Sequence, residues 1–431
     1  MILPVIAAVI AAGAVRNLRA EPVSAAAHVS GLGGMIRHRG ALGADMFFDL
    51  QAHGFRATFG LPLRFHPGSG LRHEDWDETT DYGRIAREVS YSDPRRGVAA
   101  RLAPLSGFSL GVGNLVSLFY STLDTDHWRT GASLSYQGAA GGLDAFLDSF
   151  LDPEVLGARL FVRPLHSLNP DGLFGRFEIG GTLVGDLYAP ESFLLRNGVR
   201  VLDSVGLPRA SRRKKPGVGV DARWPVIRSD EVEVVPYFAL SHAGNGAGWH
   251  AGLALGLHPG QKVRFDLQAE YRRLGAGYVA SYFGSLYPVD RWDIEGSPQA
   301  AVVRSDEIPR RFGFAAGVNV SVAEAFSSFL LFDLDRDGRF TAVRASGEVH
   351  LTRRVSLTLV YLARGFEQAK DILRPHRVVF AAMVEGSLSR FFTVFGSYSR
   401  DPTVLRGGAD LGRYGASDTL FAGVRLSFGT R

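Results

Sequence analysis

The chain has 431 residues, of which 46% are hydrophobic, 52 are glycine and none is cysteine. The absence of cysteine excludes disulfide bonds, thiolate metal sites and thiol catalysis. The formal net charge of +5 is small for this length, and much of the basicity lies in one run, Arg209 to Lys215 (RASRRKK), so no nucleic-acid-binding surface is predicted.

The N-terminus predicts a secretory signal. The stretch from Ile2 to Val15 is uninterruptedly apolar, and Ala20 offers a small residue for cleavage before Glu21. We therefore predict a signal peptide over residues 1–20 and a single folded domain over residues 21–431. No basic residue precedes Arg16, so an uncleaved anchor stays open as the alternative.

A short motif next raises the question of catalysis. Gly107 to Gly111 (GFSLG) matches the G-x-S-x-G pattern of a nucleophile elbow, which requires a strand, a sharp turn and a helix. The flanks are strand-like on both sides, so Ser109 is expected in a hairpin and no catalytic residue is predicted. His242 and His250 flank a turn and are expected to be exposed. We predict that the protein is not an enzyme and uses no cofactor or metal.

Most of the chain consists of segments of about ten residues in which polar and apolar residues alternate, the period of a β-strand. The clearest segment is Lys262 to Arg272, and Leu156 to Arg163, Val218 to Val226 and Glu231 to Ser241 repeat the pattern. In the first of these, every charged side chain falls on one face. About 18 to 20 such segments follow residue 28, which predicts an all-β fold.

The connections between these segments alternate between short and long along the chain. Short turns on one side and long loops on the other are typical of outer-membrane barrels. A β protein can cross a bilayer only as a closed barrel, because every backbone polar group must be paired internally. We therefore predict a single closed antiparallel transmembrane β-barrel of about 18 strands (16 to 20), with short periplasmic turns and longer extracellular loops. A soluble β-sandwich or solenoid is the alternative, but it would expose the charged face to bulk water.

The stretch Asp333 to Phe340 (DLDRDGRF) resembles the start of an EF-hand calcium loop. The twelfth position of that loop is Arg344 instead of the required glutamate, and the flanking residues alternate like strands. An Asp-Gly pair between two strands predicts a tight hairpin, here at the outer rim. The clustered carboxylates are expected to repel one another and to attract a divalent cation loosely at most.

The C-terminal segment from Phe421 to Phe428 resembles the signal by which bacterial barrels are recognised for outer-membrane assembly. Gly423, Leu426 and Phe428 match that pattern, whereas Phe421 and the three residues after Phe428 depart from it. Taken with the alternating segments, the chain resembles a porin-like outer-membrane barrel of a Gram-negative bacterium. The resemblance implies contact with outer-membrane lipid, with lipopolysaccharide and with the barrel assembly machinery.

The polar faces of the strands supply the candidate functional residues. In a closed barrel these side chains would line the lumen: Arg159, Arg163, Arg176, Glu178, Asp221, Arg223, Arg264, Asp266, Glu270, Arg272, Arg344 and Glu348. Mixed charges of this kind can pair across strands or line a pore for polar solutes. We predict a passive, water-filled pore for small polar solutes. An export barrel for a polymer such as a polysaccharide, working with periplasmic partners, is the alternative, and a lipid hydrolase using Ser109 is a third hypothesis.

Overall fold

The computed structural model describes residues 24–124, 126–170, 172–260, 262–292, 308–335, 341–366, 378–405, 411 and 413–429. The predicted signal peptide lies outside these residues. No helix in the described part of the chain has the length and apolarity needed to cross a membrane.

The described residues form 20 long antiparallel strands in one closed sheet. The first ten strands are β1 (Ser24–Ile36), β2 (Arg39–Ala52), β3 (Phe55–His66), β4 (Ala86–Asp93), β5 (Val98–Ala103), β6 (Gly131–Gln137), β7 (Gly141–Leu147), β8 (Val155–Val162), β9 (Glu178–Phe193) and β10 (Ala210–Arg223). The last ten are β11 (Val232–Ala243), β12 (Gly246–Leu257), β13 (Val263–Leu274), β14 (Arg311–Val322), β15 (Phe326–Asp335), β16 (Ala342–Thr352), β17 (Val355–Arg364), β18 (Val378–Ser387), β19 (Phe392–Val404) and β20 (Tyr414–Gly429).

Closure comes from the pairing of the first strand with the last. Strand β1 runs antiparallel to β20, with Ala26 opposite Gly429 and Ile36 opposite Thr419. Every other strand pairs with its neighbours in chain order, so the sheet has no free edge among these strands. The predicted closed barrel is confirmed, at the upper end of the predicted range of strand number.

The alternation seen in the sequence separates a lipid-facing surface from a lumen. On β8, Leu160 and Val162 are 64% and 55% exposed, whereas the intervening Phe161 and the preceding Arg159 are 3% and 2% exposed. On β13, Tyr271 is exposed and Glu270 is buried. The outward face of these strands is therefore apolar and the charged side chains face inward, as a transmembrane barrel requires.

Aromatic side chains form a chain across the outer surface of four adjacent strands. Phe238 stacks on Trp249 at 6.0 Å between ring centroids, Trp249 lies 5.5 Å from Tyr271, and Tyr271 lies 5.3 Å from Phe314. Aromatic girdles of this kind mark the membrane interfaces of outer-membrane barrels.

The two rims differ in the length of their connections. The inner rim, defined as the one that holds Ser24 and Gly429, has mostly short connections, such as residues 53–54, 138–140, 323–325 and 353–354. The outer rim holds the long connections 67–85, 104–130, 194–209 and 275–310, and also the tight turns 37–38 and 244–245. This alternation agrees with the prediction and identifies the outer rim as the extracellular one.

The residues of the predicted assembly signal lie on β20. Leu426 and Phe428 face outward, 40% and 54% exposed. Gly423 faces inward, and a Cβ atom there would lie 2.4 Å from the carbonyl oxygen of Gly31 on β1, so the closing strand pair leaves no room for a side chain. Recognition of this segment by the assembly machinery stays a prediction.

A charge on the lipid-facing surface should destabilise the barrel. Val220 lies near the middle of the outward face of β10 and is 54% exposed. We expect Val220→Arg to lower the free energy of unfolding by about 2–4 kcal/mol, because a guanidinium near the bilayer midplane loses its hydration. Urea unfolding in lipid vesicles measures this, with Val220→Leu as the control that should change little. Equal stability of the arginine and leucine variants would place this face away from lipid.

Candidate functional site in the barrel lumen

Three outer-rim connections fold back into the lumen. We call residues 67–85, 104–130 and 275–292, as far as they are described, the loop plug. Two of the connections are joined directly, because residues 116–117 form a short parallel strand pair with residues 283–284. The plug therefore behaves as one folded unit inside the barrel, although its parts are far apart in the sequence.

The plug has its own hydrophobic core, which also packs on the barrel wall. Leu115, Phe119 and Phe283 are fully buried, and they belong to one cluster with the inward-facing wall residues Phe146 and Val184. Burial of apolar area in this way stabilises the plug against the wall. The outer part of the lumen is thus occupied by protein and not by solvent alone.

The first contact between plug and wall depends on a glycine turn. Gly111 has a φ of +58°, a conformation that favours glycine. A Cβ atom at this position would lie 2.7 Å from Nε of Arg159, so only a glycine lets the plug backbone approach the arginine so closely. This contact lies where β8, β9 and β10 present a group of charged side chains.

That group contains four of the predicted lumen residues. Arg159 donates from Nε to Asp221 at 2.9 Å and from Nη2 to Glu178 at 2.8 Å. Arg163 donates from Nη2 to the other oxygen of Glu178 at 3.2 Å. The sequence analysis placed these residues in the lumen, and the structure brings them together as an ion-pair cluster across three strands.

A second ion-pair cluster links β13, β15 and β16. Asp333 accepts from Nη1 of Arg272 at 2.5 Å and also contacts Nη1 of Arg344. Arg272 contacts Glu270 as well, and Arg344 donates from Nε to the hydroxyl of Ser285 in the plug at 2.8 Å. The cluster holds two arginines and two carboxylates, so its formal charges balance.

A third set of ion pairs anchors the plug near the outer rim. Arg291 donates from Nη1 to Asp186 of β9 at 2.9 Å and contacts Glu154 in the connection before β8. Tyr287 donates its hydroxyl to the same carboxyl of Asp186 at 2.8 Å. Arg129 lies 2.8 Å from Glu154. Because the anchors are charged, their strength depends on pH and on access of water and salt.

A histidine lies between carboxylates within the plug. His127 Nδ1 is 2.7 Å from Glu78, and its Nε2 is 3.8 Å from Asp124. Burial alone would lower the pKa of His127, but the hydrogen bond to Glu78 and the charges of Asp124 and Glu78 outweigh it and raise the pKa to about 9. His127 is therefore positively charged at neutral pH and binds the 67–85 connection to the 104–130 connection.

The remaining predicted lumen residues are distributed separately. Arg264 donates to Asp266 at 2.8 Å near the inner rim, and Glu348 is exposed at the inner end of β16, 3.2 Å from His350. Arg176 lies in the inner-rim connection before β9 and not in a strand. Arg223 ends β10 and faces a cavity below the plug.

Beneath the tip of the plug, the lumen contains a cavity of about 270 Å³. Its lining includes Ser117 of the plug and Arg223, Tyr237 and Gln268 of the wall. Gln268 donates to the Tyr237 hydroxyl at 2.7 Å, and that hydroxyl donates to Glu270 at 2.9 Å. The cavity thus presents hydrogen-bonding groups held in fixed orientations, which suits a polar solute or water.

Two expectations from the sequence, the exposure of His250 and the repulsion within DLDRDGRF, need correction. His250, expected to be exposed, is 0% exposed, and its ring nitrogens lie 3.0 Å from Glu270 and 3.0 Å from the Tyr278 hydroxyl. Its turn is short, but the plug covers the lumen side of β12. His242 is exposed, as expected.

The expected repulsion within DLDRDGRF is also wrong. Asp333 is held by two arginines, and Asp335 accepts from Nε of Arg311 at 2.7 Å. These two carboxylates end β15 inside the lumen, each paired with arginine. Residues 336–340, which include the predicted hairpin tip, lie outside the described residues. Elsewhere in the described chain, no group of three histidine, aspartate or glutamate side chains is arranged to hold a metal ion.

The GFSLG motif lies in the plug and has no strand–turn–helix setting. Phe108 and Phe119 form a backbone bridge, and the hydroxyl of Ser109 accepts a hydrogen bond from the amide of Leu118 at 2.9 Å. The prediction of a hairpin at Ser109 agrees with this geometry.

The sequence analysis placed Asp333 at a rim hairpin and not in the lumen, and it missed Asp186 and the plug residues that bind these two carboxylates. Asp186 continues the inward alternation that begins at Glu178 of β9, so extending that pattern would have found it. The plug residues show no such periodicity.

Comparison with known proteins gives little sequence similarity. No protein-family model matches the chain, and no curated protein matches it. Among solved structures, similarity is found to a ferric enterobactin receptor of Pseudomonas aeruginosa, with a TM-score of 0.39 and 9% identity over 94% of this chain and 81% of that chain. OccAB2 of Acinetobacter baumannii gives a TM-score of 0.33 and 8% identity over 95% of this chain and 98% of that chain. OccD3 of Pseudomonas aeruginosa gives a TM-score of 0.33 and 9% identity over 95% of this chain and 92% of that chain.

The class of the protein follows from the chain itself, which forms a closed antiparallel barrel with an apolar exterior, aromatic girdle residues and a charged interior. The protein is a closed, 20-stranded transmembrane β-barrel, the architecture of bacterial outer-membrane proteins.

The cluster around Asp333 predicts that removing its central carboxylate destabilises the protein more than removing an exposed carboxylate does. We expect Asp333→Asn to lower the free energy of unfolding by about 3–5 kcal/mol, because it leaves two buried guanidinium groups short of a counter-charge. The matched control is Asp266→Asn, whose partner Arg264 is exposed, and we expect a loss of about 1 kcal/mol or less there. Chemical unfolding in detergent micelles measures both, and similar losses for the two variants would contradict the assignment of Asp333 as the centre of the cluster.

His127 predicts a pH dependence of plug stability. The folded pKa of about 9 lies above the usual value of 6.5, so the contribution of charged His127 is fully present below pH 6.5 and is lost as the pH rises through about 9. Thermal unfolding and limited proteolysis of the plug, compared between pH 6 and pH 10, should therefore show a larger loss of stability in the wild type than in His127→Gln. His73→Gln, which changes an exposed histidine of the same plug, should behave as the wild type does. Identical pH profiles for all three proteins would exclude the role of His127.

Proposed function

We propose that the protein is an outer-membrane channel for small polar solutes, and that the loop plug restricts its conductance. The observation that carries this proposal is a charged and hydrogen-bonding lumen wall combined with a plug made of outer-rim loops. A barrel of 8 strands is filled by its own side chains, whereas barrels of 16 to 18 strands leave an aqueous channel. With 20 strands, the lumen is wider still, and here loops fill part of it.

This proposal revises the passive, open pore expected from the sequence. The plug occupies the outer part of the lumen. Besides its apolar contacts with Phe146 and Val184, it is anchored to β9, to β16 and to the connection before β8 by hydrogen bonds and ion pairs. Such contacts can be exchanged for water without breaking a covalent bond, so the plug is suited to be displaced. The polar cavity below it offers a solute path on the inner side.

Polymer export stays the second candidate. The specific observation that favours it is again the plug, because an export barrel must be closed except when polymer passes. A solute channel and an export barrel differ in what opens them: the first should conduct ions spontaneously, whereas the second should conduct only when the plug is removed or a periplasmic partner is bound.

The plug hairpin provides the test. Phe108 and Phe119 form a backbone bridge, so residues 109–118 can be replaced by two glycines without moving the ends of the hairpin. We expect this variant to show a larger single-channel conductance than the wild type in planar bilayers, because the hairpin tip no longer occupies the lumen. Ser109→Ala, which keeps the hairpin, should conduct as the wild type does.

The pattern of results separates the candidates. Measurable wild-type current that rises in the shortened variant supports the channel, and silence of the wild type with current only in the variant supports export. A correctly folded shortened variant that stays silent would exclude both forms of transport through this lumen.

A further inference from the structure

One hairpin of the barrel projects beyond its neighbours at the outer rim. Strand β8 begins where Val155 pairs with Asp186 of β9, and β11 ends where Ala243 pairs with Gly217 of β10. The residues between these points have no further sheet neighbour on either side. We call residues 191–215 the basic arm.

The basic arm accounts for the net charge of the whole protein. Its seven basic and two acidic residues give a net charge of +5, which equals the formal net charge of the chain. The basic residues are Arg196, Arg200, Arg209, Arg212, Arg213, Lys214 and Lys215, and the acidic residues are Glu191 and Asp203. Asp203 accepts backbone hydrogen bonds from Val205 and Leu207 and so stabilises its own turn. The formal charges of all the other residues of the chain sum to zero.

Two of these cations face the membrane. Arg212 and Lys214 share the face of β10 that carries Val218 and Val220, which are 48% and 54% exposed to lipid. Lys215, on the opposite face, is 8% exposed and points inward. On the outward face of β10, the apolar surface formed by Val218 and Val220 is therefore followed, toward the outer rim, by the two cations.

The rise along β10 from Trp224 to Lys214 places the two cations at the outer boundary of the hydrocarbon layer. Trp224, next to β10 on the inner side, stacks on Phe174 at 5.6 Å and donates its ring nitrogen to the carbonyl of Leu173, as expected of an interfacial tryptophan. Lys214 lies ten residues further along the strand. At about 3.3 Å per residue and a strand tilt of about 35–45°, this is a rise of about 25 Å, the height of the apolar band of an outer-membrane barrel.

The surroundings of the two cations leave them able to bind an anion. Lys214 has no carboxylate partner in the described part of the chain. Arg212 lies 3.8 Å from Glu154, a long contact to a carboxylate that also pairs with Arg129 and Arg291. The Arg212 guanidinium lies 5.6 Å from the ring of Tyr188, which is 44% exposed beside it. The exposed ring of Tyr188 lies beside Arg212 and close in sequence register to Lys214. Such a combination of an apolar surface and two cations suits a ligand that has both an acyl part and a phosphate part.

We propose that Arg212 and Lys214 form a binding site for the phosphate groups of a phosphorylated glycolipid in the outer leaflet. The phosphates of such a lipid lie at the level where these side chains leave the hydrocarbon, and arginine and lysine both bind phosphate through charge-assisted hydrogen bonds. The acyl chains of the same lipid would pack on Val218, Val220 and Tyr188. This inference depends on the barrel and its orientation and not on the transport activity.

The test compares two lipids and two matched double variants of the full chain in detergent micelles. The lipids are a bisphosphorylated lipid A and the same lipid without its phosphates, and bound copies are counted by native mass spectrometry across a titration. The site variant is Arg212→Gln with Lys214→Gln. The control is Arg353→Gln with Arg354→Gln, which removes two exposed basic residues from the opposite rim.

We expect the wild type and the control to bind the phosphorylated lipid equally, and the site variant to bind it at least about tenfold more weakly. We also expect binding to weaken as the salt concentration rises. Equal affinity for the two lipids, or an unchanged affinity in the site variant, would overturn the proposal. If the double variant fails to fold, Lys214→Met alone, at an exposed position, should still weaken binding several-fold.

Discussion

Internal pairing of backbone hydrogen bonds is the constraint on which the rest of this structure depends. In hydrocarbon, an unpaired N–H or C=O group has no water to bind, so the sheet must close on itself, and the pairing of β1 with β20 achieves this. Closure at 20 strands then fixes a lumen too wide for wall side chains to fill. The long outer connections fold into a plug that fills part of this lumen. The hydrophobic core of the protein therefore lies inside the barrel, between the plug and the wall.

The chemistry of the wall determines how the plug is held. The lipid-facing side chains of the strands are largely apolar, so the side chains that face the lumen are mostly polar. The plug therefore contacts the wall through arginine and carboxylate groups such as Arg291 with Asp186, as well as through the apolar patch around Phe146 and Val184. Buried ion pairs add little net stability but require exact geometry, because an unpaired charge is costly. An interface of this kind specifies one docked position and is still open to exchange with water.

The period of two in the sequence was sufficient to predict the wall but not the plug. Segments such as Lys262 to Arg272 show which face meets lipid because every charge falls on one side, and the same logic placed Arg159 and Asp221 in the lumen. The plug depends on contacts between distant residues, for example the Tyr278 hydroxyl with the carbonyl of Asn114, 164 positions apart. No local pattern encodes such a contact. His250 was predicted to be exposed for this reason, since its burial comes from Tyr278 of a connection that follows the next strand.

The same argument explains the charge distribution. Within the clusters around Arg159 and Asp333, cations and carboxylates are matched, because an unmatched charge inside the low-dielectric interior would be destabilising. A surplus of positive charge can therefore persist only where water or an anionic partner is present. The basic arm is such a place: it extends past the last sheet neighbours of β9 and β10, and its surplus is as large as that of the entire chain. Because the interior charges are matched and this rim segment carries a surplus of cations, the segment can present them to an anion outside the protein.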